Sequence, residues 1–277
     1  QSTTNGGSSV KLPAWTFDSQ ADYRARREFL SYSTAKHGIE QSLAHLRAYE
    51  MAPREATAAM ILGTAIHAAT LEPEEFRSRY LIAPKVDRRT KDGKAEWESF
   101  LTHAVGREVI PADDHQVADQ AAAAVRAHPL ASELIADATI ESSIYWQDEE
   151  SGVLCKARPD AYCQKTGTLV DLKSTLSASP REFSRSIFSM GYHRQLAFYR
   201  MALEAVGFPV NRVVLIAVEK APPFGVNVFE LEHDSLALGA HQIREFFPKY
   251  AAAKAADHWP GYSVETHKVS PPTWAFE

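Results

Sequence analysis

The hydrophobic and polar positions divide this chain into two halves. The first half predicts helices: one capped by Ser33 and running through about Tyr49, a second over 55–70, a third near 94–105 and a fourth over the alanine-rich stretch 115–127. His128-Pro129 ends the fourth, because the residue before a proline disfavours the helical region. From Thr139 the pattern turns to strands. Residues 139–147, 153–163, 168–174, 212–219 and 226–232 are rich in β-branched and aromatic residues and are separated by turn residues. Between the third and fourth strands a helical region opens at Ser179-Pro180-Arg181-Glu182, where a capping serine, a proline and a glutamate three residues on make a capping box. Gly191 interrupts that region, and Tyr192 to Val206 forms its second part. A last helix covers about 235–256, kinked or split at Pro248. Helices followed by strands with inserted helices predict an α/β fold: a mixed central β-sheet flanked by helices, with a helical N-terminal part.

Composition narrows this picture. With 277 residues, 45% of them hydrophobic, the chain can bury a substantial core. Residues 1–12 are small and polar, as in a disordered leader, and 13–277 are expected to form a single domain. No window holds 18 uninterrupted apolar residues and no charged start precedes an apolar run, so neither a membrane span nor a signal peptide is predicted. The two cysteines, Cys155 and Cys163, fall on one expected strand with both side chains aimed away from the Asp160 face. They are too few for a structural zinc or an iron–sulfur cluster and suit a reducing, cytoplasmic setting. A formal charge of −5 argues against coating nucleic acid by bulk electrostatics. A local basic stretch, from Arg77 to Lys94 through Arg79, Lys85, Arg88, Arg89 and Lys91, reads as a loop broken by Pro84 and Gly93.

Chemistry concentrates in Arg158-Pro159-Asp160 and Asp171-Leu172-Lys173. Strand alternation puts Asp171 and Lys173 on one face and Leu172 on the other. If Gln164 to Gly167 form the turn, Cys163 pairs with Thr168 and Asp160 stands opposite Asp171. Paired side chains have Cβ atoms about 4.5–5.5 Å apart, close enough to share one divalent cation. Mg²⁺ takes one or two carboxylates and keeps positions for water and phosphate, and Lys173 beside it can orient water or offset phosphate charge. The same residues also suit an exposed hairpin with surface charges. His67, on an apolar helix after Gly63, suits a core histidine or a metal ligand, with Gly63 permitting close helix approach. Gln195 and Tyr199 share a helix face, for packing or for hydrogen bonds to phosphate or carboxylate. Glu141 is either a strand-end surface residue or a further carboxylate. Arg158, Arg181, Arg185 and Arg194 are candidate phosphate contacts or ion-pair arginines.

Gly63-Thr64-Ala65-Ile66-His67, Leu71-Glu72-Pro73-Glu74-Glu75-Phe76, Lys156-Ala157-Arg158-Pro159-Asp160, Val170-Asp171-Leu172-Lys173-Ser174-Thr175 and Tyr192-His193-Arg194-Gln195-Leu196-Ala197-Phe198-Tyr199 resemble, in order, the motifs of the RecE-type exonucleases. That is the exodeoxyribonuclease VIII family, within the PD-(D/E)xK nuclease superfamily. Val218 to Pro223 and Trp259 to Tyr262 resemble further family blocks, so the likeness covers roughly 30–265. It implies a restriction-endonuclease-like core and an Mg²⁺-dependent exodeoxyribonuclease, with Mn²⁺ able to substitute. The enzyme would degrade one strand of linear double-stranded DNA 5′→3′ and leave 3′ single-stranded tails for homologous recombination. By position His67, Asp160, Asp171, the Leu172 carbonyl and, less distinctively, Glu141 would be metal ligands. Lys173 would be the catalytic lysine, with Gln195 and Tyr199 supporting site and substrate. A ring-like homo-oligomer and a single-strand annealing partner are expected on the same ground. The long extra N-terminal region of the family archetype has no match here, and its function is not carried over. Two alternatives stay open: a PD-(D/E)xK endonuclease or nickase, and a non-catalytic DNA-binding or assembly protein on the same fold.

Overall fold

The computed structural model describes residues 11–52 and 56–271, so residues 1–10 of the expected leader and residue 55 of the second expected helix lie outside the described residues. In chain order the elements are β1 (Ala14–Thr16), α1 (Gln20–Ala25), β2 (Leu30–Ser31), α2 (Tyr32–Glu40), α3 (Leu43–Met51), α4 (Ala58–Leu71), α5 (Pro73–Arg79) and β3 (Tyr80–Ile82). Then follow α6 (Lys91–His103), β4 (Glu108–Ile110), α7 (Ala112–Ala127), α8 (Pro129–Ala136), β5 (Thr139–Ile140), β6 (Ser143–Gln147), β7 (Leu154–Ala157) and β8 (Ala161–Cys163). The last are β9 (Thr168–Thr175), α9 (Pro180–Ser189), α10 (Tyr192–Ala205), β10 (Arg212–Glu219), β11 (Val226–Glu230) and α11 (His233–Ala256).

The helical half carries local stop and start signals. The single helix expected from Ser33 to Tyr49 is two helices, α2 and α3. Gln41 leaves the helical region at φ −126°, and the Ser42 hydroxyl caps α3 by accepting the His45 N–H. The N-cap position of α2 is Ser31, not Ser33. Thr57 caps α4 through the Met60 N–H. Pro73 and Pro129, each in a first helical turn, start α5 and α8 directly after longer helices. Gly63 needs no close approach, since a Cβ there would meet only Ser174 Oγ, at 3.5 Å. The basic stretch is not one loop: it runs through α5, β3 and the start of α6, which contains Gly93. Three of its members form ion pairs, Arg77 with Glu74, Arg79 with Glu108 and Lys85 with Asp113. At Ser179 the cap position and the following proline are as expected, yet no side-chain cap bond forms. α11 runs unbroken through Pro248.

The strand half departs from expectation at one corner. Residues 139–147 and 153–163 are not two continuous strands but four short ones. Glu141 takes a left-handed backbone, φ 50°, between β5 and β6. Arg158-Pro159-Asp160 separates β7 from β8, where proline has no N–H for a ladder. β6 and β7 pair with Trp146 opposite Cys155, within a four-stranded sheet ordered β1-β6-β7-β2. β5 and β8 pair with Thr139 opposite Tyr162, within a five-stranded sheet ordered β11-β10-β9-β8-β5. Cys155 and Cys163 therefore sit in different sheets, not on one strand. The five-stranded sheet is mixed. β9 and β10 run parallel, linked by α9 and α10, while the other neighbours are antiparallel.

Alternation along β9 and β10 feeds two cores. Leu169, Leu215 and Ala217 pack with Phe198 of α10 and Phe247 of α11. Val170, Leu172, Ile216 and Val218 pack with Ala65 and Ala69 of α4 and Ala118 and Ala122 of α7. Asp171 and Lys173 share the parity of Leu169 and so face α10, with Leu172 on the opposite side. Among the described residues, no helix is long and apolar enough to cross a membrane.

Candidate active site

The site forms where the two sheets part. Cys163 pairs with Thr168 and Ala161 with Val170, the register in which Asp160 follows onto Asp171. Asp160 leaves the ladder there, and its Oδ2 accepts the Leu172 N–H at 2.7 Å. α4 brings His67, whose Nδ1 is 3.4 Å from the same Asp160 Oδ2. Glu141 donates its backbone N–H to the Asp160 carbonyl at 3.0 Å. His67, Glu141 and Asp160 each offer one ligand atom, all within 4.8 Å of one another. Asp171 stands beside this group and not in it. It is fully buried, its Oδ1 takes Gln195 Nε2 at 3.4 Å, and Lys173 Nζ lies 2.6 Å from its Oδ2. Gln195 also donates to the Tyr199 hydroxyl at 2.8 Å, so the shared helical face expected of this pair is directed at Asp171.

Crowding carboxylates in a buried corner disfavours their charged forms. Burial, then the nearby Asp160, pushes Glu141 up to about 8, with Arg158 pulling the other way. Burial likewise raises Asp171 to about 6, against the Lys173 ammonium. Asp160 moves up for the same leading reason. Burial and then Lys173 hold His67 down at about 4, so its imidazole is neutral and can donate a lone pair. Burial opposes the charge on Lys173, but Asp171 and Asp160 outweigh it and raise the lysine above its usual value. A divalent cation fits this donor set. It would relieve the repulsion between carboxylates, engage a neutral imidazole, and lie beside Asp171 Oδ2, which the Lys173 ammonium already partners.

A pocket of about 320 Å³ opens beside the group, lined by Glu141, Asp160, Gln195 and Tyr199 together with Tyr23 and Tyr192. Tyr192 was not singled out from sequence, yet its ring lies 5.0 Å from Lys173 Nζ. The signal was present, because residues 192, 195 and 199 lie on one face of α10. The arginines part company. Arg158 is not a free phosphate contact, since its Nε donates to Glu141 Oε2 at 2.7 Å. Arg194 is likewise engaged, by Glu40. Arg185 pairs with Glu182 at 3.6 Å on the exposed face of α9, and Arg181 is exposed beside it.

Residues 31–269 match the model of a family described as a PDDEXK-like domain of unknown function (DUF3799). No curated protein matches the chain. Among solved structures, a protein described as a candidate exonuclease from Eubacterium rectale is similar with a TM-score of 0.61 at 13% identity, over 93% of this chain and 96% of that one. That likeness is one of fold. A phage-related exonuclease from Haemophilus somnus 129PT matches with a TM-score of 0.32 at 10% identity, over 80% of this chain and 94% of that one. An alkaline exonuclease from Laribacter hongkongensis matches with a TM-score of 0.33 at 11% identity, over 86% of this chain and 99% of that one.

Proposed function

We propose that this chain, which belongs to the PDDEXK-like family DUF3799, is a divalent-metal-dependent exodeoxyribonuclease that digests one strand of linear double-stranded DNA, 5′→3′, and leaves 3′ tails for recombination. The observation that carries the reading is the convergence of His67, Glu141 and Asp160 at a corner whose other wall is the Asp171–Lys173 ion pair. His67, Glu141 and Asp160, with Asp171 and the Leu172 carbonyl, would hold Mg²⁺ or Mn²⁺, which when bound polarises the scissile phosphate and acidifies its water. Lys173, fixed by Asp171, directs its ammonium at the phosphate, orients the attacking water and offsets charge as the phosphorus gains one oxygen and loses another. Gln195 holds Asp171 in register for that lysine, and Tyr199 holds Gln195.

End-labelled linear duplex with Mg²⁺ tests the reading, comparing 5′-phosphate with 5′-hydroxyl ends and linear with covalently closed plasmid. Wild-type protein is expected to release mononucleotides from 5′ ends and to leave closed circles intact. Asp160→Asn and Asp171→Asn are expected to abolish digestion, and Lys173→Ala to slow it by about 10²–10³-fold. Cutting of closed circles points to an endonuclease or nickase instead. Undiminished activity in any of the three folded variants refutes the site.

A further inference from the structure

Glu141 combines two features that do not maintain themselves: a left-handed backbone in a residue with a side chain, φ 50°, and a carboxylate placed in a buried, anionic corner. Such conformations are strained and persist only where the surroundings impose them. The group hydrogen-bonded to this carboxylate is Arg158. Its Nε donates to Glu141 Oε2 at 2.7 Å, and its Nη1 donates to the Asp18 carbonyl at 2.9 Å and reaches Ser143 Oγ at 3.4 Å. Arg158 is itself mostly buried, and Asp18, in the segment leading into α1, anchors it. α1 itself is held by Lys156, which donates to the carbonyls of Tyr23, inside the helix, and Arg26, at its C-terminal end. We propose that Arg158 is a positioning residue: it holds the Glu141 carboxylate beside His67 and Asp160, and cation affinity depends on it although it is not a ligand. This inference rests on the cation site described under the proposed function.

The test is titration calorimetry of the metal-free full chain with Mn²⁺ alone, for wild type, Arg158→Gln, Arg158→Lys, Glu141→Gln and the Arg158→Gln/Glu141→Gln double variant. Replacing a group that orients a ligand lowers metal affinity roughly 10- to 100-fold, and that loss is expected for Arg158→Gln, with partial recovery in Arg158→Lys. In the Glu141→Gln background the Arg158 change is expected to have no further effect, because its partner is already gone. Equal losses in both backgrounds mean that Arg158 acts through the fold at large and overturn the proposal, as does unchanged affinity in Arg158→Gln. Wild-type protein that takes up no Mn²⁺ overturns the cation site itself and this inference with it. Thermal melting of each metal-free variant separates lost affinity from lost folding, and where Arg158→Gln does not fold, Arg158→Lys is carried through the same cycle.

Discussion

At the scale of single residues, the corner depends on backbone conformation as much as on charge. Glu141 is in the left-handed region, which costs an ordinary L-residue about 1–2 kcal/mol relative to glycine. Glu141→Gly and Glu141→Ala both remove the carboxylate and the partner of Arg158, and they differ only in that backbone cost. The glycine variant is therefore expected to be about 1 kcal/mol more stable than the alanine variant in urea unfolding, with activity equally lost in both. This conformation also explains which residues could be read from the sequence. Asp160, Asp171 and Lys173 follow from alternation and a four-residue turn, because strand parity fixes where side chains point. Gln195 and Tyr199 follow from helical spacing in the same way. Glu141 has a weaker signal: its place at the start of the strand before Asp160 marks it as a possible further carboxylate, but nothing in Thr139 to Ser143 announces a positive φ in a non-glycine residue. For Arg158 the sequence leaves a phosphate contact and an ion pair both open, because its partner, 17 positions away, becomes a neighbour only when the strands break at the corner.

At the scale of elements, helix and strand regions were legible while several of their interruptions were not. The strand pattern is continuous over 153–163 because both cores accept apolar residues there. What divides it is Pro159, which cannot join a ladder, so the chain passes from one sheet to the other and leaves Asp160 at the opening. α2 and α3 were expected as one helix because Gln41-Ser42 is compatible with helical periodicity, and only the capping hydroxyl of Ser42 marks the restart. Helix contacts set how well the site is held. α10 carries Gln195 and Tyr199, and it lies so close to α11 that a Cβ on Gly239 would come within 2.6 Å of the His193 carbonyl oxygen. Gly239→Ala must push α10 away. It is expected to cost about 1–3 kcal/mol in urea unfolding and to lower the rate of end-labelled duplex digestion. Gly63→Ala is the control, since its Cβ would meet only Ser174 Oγ at ordinary contact distance. That variant is expected to keep full activity and to gain up to about 1 kcal/mol from helix propensity. Loss of activity in both variants equally would remove the argument that α10 is the sensitive element.

At the scale of the whole molecule, the site joins parts that pack separately. His67 arrives on α4, whose apolar face lies in one core, Gln195 and Tyr199 arrive on α10 beside the other, and Asp160 and Glu141 occupy the junction of the two sheets. Without a cation, this junction buries several carboxylates beside one another, and burial first, then their mutual repulsion, raises the pKa values of Glu141 and Asp171. The sign follows directly. An acid whose folded pKa is raised above its unfolded value destabilises the fold progressively as pH rises from the unfolded toward the folded value, which for Glu141 is the interval from 4.5 to about 8. A cation that binds the folded chain and not the unfolded one opposes this by RT ln(1 + [L]/Kd), about 2.7 kcal/mol at a hundredfold excess over Kd. For a chain of this size each kcal/mol moves the melting temperature by roughly 2–4 °C. Saturating Mg²⁺ or Mn²⁺ at neutral pH is therefore expected to raise the melting temperature by about 5–10 °C, with chelator returning it to the starting value. Asp160→Asn should lose the shift while still melting cooperatively, because it removes one ligand from the junction without opening either core. A shift that survives in Asp160→Asn places the stabilising cation elsewhere on the surface, and the assignment of His67, Glu141 and Asp160 as the cation site then fails.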